Sequence, residues 1–261
     1  MDMTSDQVTI AFTFLAYILF MLLIGWLGYR RTRDLSDFVL GGRSLGSWVT
    51  ALSASASDMS GWLLLGLPGF AYLSGAESLW LSVGLLMGTW LNWRLMAARL
   101  RRYSEAANNA LTLPAFFAHR FHDTSGLLRG ISALFILIFF LFYTSSGLVA
   151  GGKLFESVFG LPYHWAVVSG ALVIILYTSF GGFLAVSWTD LVQGLLMAAA
   201  LIAVPIMAFG QLGGTAAAMA AIEQHNPQLL DLLTNKEGAP LTLIGTVSLM
   251  AWGLGYFGQP H

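Results

Sequence analysis

The chain has 261 residues, of which 57% are hydrophobic and 10% charged, and its formal net charge is −1. A charged fraction well under the ~25% of soluble domains, with apolar runs too long for a soluble core, excludes an ordinary soluble domain. The lack of cysteine excludes disulfides, thiolate metal sites and thiol nucleophiles, and arginines gathered in two loops without basic–aromatic interleaving argue against nucleic acid.

Taken in chain order, the first apolar run, Val8 to Gly28, follows Asp2 and Asp6 rather than lysine or arginine. It is too long for a signal-peptide core and reads as a retained span. About 20 apolar residues cross a bilayer as a helix, and the sequence predicts spans at approximately 8–29, 48–72, 78–98, 127–151, 165–186, 191–212 and 241–261. The predicted fold class is therefore all-α, a polytopic membrane protein. Alternating through these spans puts Arg30, Arg31, Arg33, Arg43, Arg94, Arg99, Arg101, Arg102, Arg120 and Arg129 on one side, and only Lys153 and Lys236 on the other. This asymmetry predicts an N-terminus outside the cell and a cytoplasmic loop at 99–126. Within that loop, Thr112-Leu113-Pro114 has the form of a helix start, threonine as N-cap and proline in the first turn, opening an interfacial helix. Ala216–Leu233, on the outer side, also has helical composition.

The second span carries Asp58, the only charged side chain between Arg43 and Glu77. A carboxylate at membrane depth costs roughly 2.5–3.5 kcal/mol on the insertion scale, so it is kept where a cation, a proton or a hydrogen-bond partner meets it. Small residues surround it, Ser53-Ala54-Ser55-Ala56-Ser57 before and Ser60-Gly61 after, which suits a broken helix in an ion-coupled transporter. The fourth span carries Tyr143-Thr144-Ser145-Ser146-Gly147, and Asp190 follows Ser187-Trp188-Thr189 at the start of the sixth. The seventh carries Trp252, Tyr256 and Gln259, and is broken by Gly253, Gly255, Gly258 and Pro260. Trp252 and Tyr256 are four apart, so an α-helix would put both on one face. The end at His261 reads as a cut inside a discontinuous helix. His119 and His122 are spaced i,i+3 but lie in a solvated loop, and His164, His225 and His261 are scattered. No metalloprotease, nucleophile-elbow or phosphate-loop motif occurs, so an enzyme is not expected.

A sodium ion takes several oxygen ligands, and unwound backbone carbonyls with serine hydroxyls and a nearby carboxylate supply them. A small zwitterion needs polar anchors for its charged ends and an apolar wall, such as Trp252 and Tyr256, for its body.

Leu40-Gly41-Gly42-Arg43-Ser44-Leu45-Gly46, Ala51-Leu52-Ser53-Ala54-Ser55-Ala56-Ser57-Asp58-Met59-Ser60-Gly61-Trp62 and Leu63-Leu64-Leu65-Gly66-Leu67-Pro68-Gly69 resemble the sodium/solute symporter family. Asn108-Asn109-Ala110-Leu111-Thr112-Leu113-Pro114, Ala185-Val186-Ser187-Trp188-Thr189-Asp190 and Trp252-Gly253-Leu254-Gly255-Tyr256-Phe257-Gly258-Gln259-Pro260-His261 are similar to its proline-transporting branch. The resemblance covers essentially the whole chain. It implies an inverted-repeat transporter fold with broken helices, of which this chain holds the first repeat and the start of the second. The implied activity is sodium-coupled symport of proline, with Na+ as coupling ion, in the plasma (inner) membrane, and with no obligate protein partner.

The resemblance further implies that backbone carbonyls of Ala56 and Met59, with Asp58 and Ser60, serve sodium. Ser57, Gly61, Tyr143, Trp252, Tyr256 and Pro260 would serve the substrate, and Arg43 and Asp190 would serve gating and coupling. The hydroxyl half of the family's sodium site belongs to a helix this chain lacks. Two alternatives stay open: the membrane domain of a sensory signalling protein, and a symporter for another small solute.

Overall fold

The computed structural model describes residues 5–258. Its α-helices are α1 (Ser5–Arg31), α2 (Leu35–Leu40), α3 (Ser47–Asp58), α4 (Leu67–Ser74), α5 (Ser78–Asn92), α6 (Ala98–Ala106), α7 (Leu113–Arg120), α8 (Leu127–Phe159), α9 (Tyr163–Gln211), α10 (Thr215–His225) and α11 (Leu243–Met250). Short π and 3-10 turns join them, and the one β-pairing among the described residues is an isolated bridge between Thr234 and Pro240. Val8–Arg31, Leu67–Ala106, Leu127–Phe159 and Tyr163–Gln211 are each long and apolar enough to cross a membrane. The chain is an all-α, polytopic membrane protein.

It divides into two compact units, one formed by the residues up to Gly61 with Phe135–Ala198, the other by Trp62–Leu134 with the residues from Ala199.

In the first unit α1 lies on α9 through small residues. Gly28 meets the backbone and Cβ of Ala185, and Gly25 meets Tyr177. Such contacts let helix backbones approach closely where no hydrophobic drive between helices exists. Gln193 donates to the Tyr17 hydroxyl (2.7 Å), and the Thr32 hydroxyl reaches the Gly181 carbonyl (3.4 Å). Phe14 meets Phe155 edge-on, ring centroids 5.0 Å apart.

The 49 residues of α9 would extend more than 70 Å if straight, over twice a ~30 Å hydrocarbon core. The run turns at Gly182, whose φ of 58° and ψ of −156° only glycine adopts readily. The sequence suggests a loop after Val186. Instead, the paired glycines Gly181-Gly182 make the turn, and Ser187–Asp190 are helical and largely buried.

The second unit is organised on α5. Gly84 abuts the Met250 backbone and Gly88 abuts that of Gly253. Asn226 and Pro227 end α10 at His225, so the helical stretch read over 216–233 stops early and continues as a 3-10 turn, Pro227–Leu230. Gly75, at φ 64°, packs against Leu229, and the Trp80 indole donates to the Leu232 carbonyl (2.8 Å). Thr112 accepts the Ala115 N–H (3.3 Å) and opens α7 as the sequence reads. Asp123 heads α8, taking N–H groups of Ser125 (3.0 Å) and Leu128 (2.8 Å).

Candidate functional site: the break after Asp58

Helix α3 ends at Asp58. Met59 turns to an extended conformation (φ −69°, ψ 104°), and its N–H closes the helix on the carbonyls of Ser55 and Ala56 (3.2 Å each). A helix end leaves carbonyls without intrahelical partners, and small residues here let neighbouring elements reach them.

Two helices of the same unit hold this end. From α9, the Asp190 carboxylate accepts both the Ser53 and the Ser57 hydroxyl through Oδ2, each at 2.8 Å. Ser53 and Ser57 are one helical turn apart and share a face of α3. Ser53 is 6% and Asp190 8% exposed. Gly194, one turn beyond Asp190, lies against Ala56. From α8, the Tyr143 hydroxyl donates to the Ser57 carbonyl (2.7 Å), and Ala150 fills the space beside Gly61. Ser57 is therefore fixed twice, by side chain to α9 and by backbone to α8. A buried carboxylate with two hydroxyl donors thus gathers negative potential and oxygen atoms beside the end of α3.

Of the residues singled out from sequence, Ala56, Ser57, Asp58, Met59, Ser60, Gly61, Tyr143 and Asp190 thus come together in one unit. Arg43 stands before the other end of the 12-residue α3, about 18 Å along its axis. It closes a turn of three successive left-handed residues, Gly41, Gly42 and Arg43 at φ 59°, 58° and 54°. Pro260 lies outside the described residues.

Trp252 and Tyr256 belong to the second unit. There Ala251–Gly258 is a 3-10 helix, three residues per turn, so the two rings point about 120° apart instead of sharing an α-helical face. The tighter winding follows from Gly253 packing directly on Gly84 and Gly88. Trp252 is 52% exposed and stacks on Trp62, centroids 4.9 Å apart and planes at 20°.

What sequence reasoning missed is the partnership of Asp190 with Ser53 and Ser57, residues more than 130 apart in the chain. The available signal was the glycine pair at 181–182, which moves the turn and carries Asp190 into the helix.

The sequence profile described as "Sodium:solute symporter family" matches residues 38–261. The chain belongs to the sodium:solute symporter family. Among members it is similar to the sodium/proline symporter of Salmonella typhimurium, 53% identical over 95% of this chain and 49% of that protein. It is also similar to the high-affinity proline transporter of Bacillus subtilis, 52% identical over 92% of this chain and 50% of that one. A third similar member is the sodium/proline symporter of Haemophilus influenzae, 52% identical over 95% and 49%. The chain spans about half the length of the curated relatives it matches. No solved structure matches it. The family's name gives sodium as its ion, and the relatives named above are symporters or transporters.

Proposed function

We propose that the chain serves sodium-coupled symport of proline into the cell, in the plasma membrane with the N-terminus outside. The observation that carries the reading is the end of α3 at Asp58, clamped by Asp190 and Tyr143 in a helix bundle of symporter-family sequence. Relatives at about half identity named for sodium and proline support the choice of ion and solute.

In this proposal the carbonyls of Ala56 and Met59, with Asp58 and Ser60, bind sodium on its way in. Ser57, Gly61 and Tyr143 meet the polar ends of proline. The half-exposed Trp252 ring, stacked on Trp62, is a flat apolar surface suited to the pyrrolidine ring, with Tyr256 and Pro260 completing the substrate residues. Asp190 couples the two by holding the serine face of α3, so a cation that draws on its charge loosens that hold. Arg43 acts at the cytoplasmic end of the same helix.

The test is proline uptake into vesicles carrying the complete gene product. Asp58→Asn is expected to insert normally and to lose sodium stimulation, because the amide keeps the shape and removes the charge. Sodium dependence close to wild type in that variant would defeat the proposal.

A further inference from the structure

A concavity of about 520 Å³ opens in the first unit, away from the end of α3. Arg30, Arg31 and Arg33 line it against a single carboxylate, Asp37, whose Oδ2 already accepts the Arg33 backbone N–H (3.0 Å). Among the described residues none of these three guanidinium groups is in an ion pair. The Arg31 guanidinium sits 5.0 Å over the half-buried Trp188 ring, which fixes its direction. The positive-inside bias accounts for basic residues near this helix end. It does not account for three of them bordering one cavity whose Trp188 ring carries the Arg31 guanidinium, while that of Arg30 lies over Trp26 beside it.

Arg30 and Arg31 form the last turn of the span Val8–Arg31, the depth of lipid phosphates. Basic pockets at such depth attract anionic headgroups. The cavity wall also includes Leu45, Val49 and Leu184. Apolar walls offer nothing to a free inorganic anion, but they suit the glycerol and first acyl carbons of a lipid.

We infer that this cavity holds the phosphate group of an anionic phospholipid, oxygens on the arginine fork and acyl stem along Leu45, Val49 and Leu184. The occupant is a structural lipid, distinct from the transported solute and ion.

The experiment is native mass spectrometry of the 261-residue chain in detergent with equimolar phosphatidylglycerol and phosphatidylcholine. Phosphatidylglycerol adducts are expected to dominate. Arg31→Gln and Arg33→Gln should each lower them about fivefold, from ~1 kcal/mol per interfacial arginine, whereas Arg101→Gln should not. If a glutamine variant loses helicity, Arg31→Lys decides, since it keeps the charge but loses the fork and the stacking, and part of the signal should go. Equal retention of both lipids, or unchanged adducts in the arginine variants, would overturn the inference. Complete displacement by inorganic phosphate would overturn it too, making the occupant a free anion.

Discussion

Removing the serine donors from Asp190 is the sharpest probe of the first unit. Ser53 and Ser57 each give its Oδ2 a hydrogen bond of 2.8 Å, and the carboxylate is 8% exposed. A hydrogen bond to a charged group is worth about 1.5–3 kcal/mol in water-soluble proteins. Polar contacts between membrane helices average about 0.6 and reach about 1.7. Burial puts this pair at the upper end, so Ser53→Ala or Ser57→Ala alone should cost about 1–2 kcal/mol. With both gone, the carboxylate is buried without these donors, a situation that costs about 3–5 kcal/mol. The double variant should therefore lose more than the sum of the singles, by about 1 kcal/mol or more. Equilibrium unfolding in mixed micelles with rising dodecyl sulfate, followed by helical circular dichroism, measures all four corners of the cycle. Single costs below about 0.5 kcal/mol that simply add would refute the view that Asp190 anchors α3.

The Ser187 hydroxyl is fully buried and has no hydrogen-bond partner among the described residues, so Ser187→Ala should be neutral or stabilising in the same titration, opposite in sign to Ser53→Ala. Gly88→Ala would drive a methyl into the Gly253 backbone, and we expect a loss of about 1–3 kcal/mol with a change in Trp252 fluorescence, whereas Gly130→Ala, with open space around it, should leave both unchanged. Asp123, outside the spans, is held below the usual carboxylate range, chiefly by the Ser125 hydroxyl and also by backbone N–H groups including Leu128. Because its folded value is the lower one, its contribution to the start of α8 is present above the ordinary carboxylate range and fades as pH falls through the lowered value. The protection factor of the Leu128 amide, its exchange rate taken against the intrinsic rate at each pH, should fall in acid accordingly, and Asp123→Asn should remove that pH dependence.

The fold class was legible in the sequence because a bilayer imposes it locally. Backbone groups in hydrocarbon must bond within their own helix, so apolar length alone announces Val8–Arg31 or Leu127–Phe159 as spans. Asp58 stands out in the sequence for a related reason, since a solitary charge in a long uncharged stretch is conspicuous wherever its partners are. Thr112 and Pro114 declared the start of α7 through capping chemistry, which acts over a single turn. The rest had to wait for tertiary structure. Two adjacent glycines do not say which way a chain turns until Phe38 and Gly25 pack against them, and that packing set the turn at Gly182 and carried Asp190 into the interior. The winding of Ala251–Gly258 was likewise decided by Gly253 pressing on α5, which parts Trp252 from Tyr256. The link from Asp190 to Ser53 and Ser57 has no local signature at all. A hydrogen bond across more than 130 residues exists only once the helices carrying both ends have been brought together by other contacts.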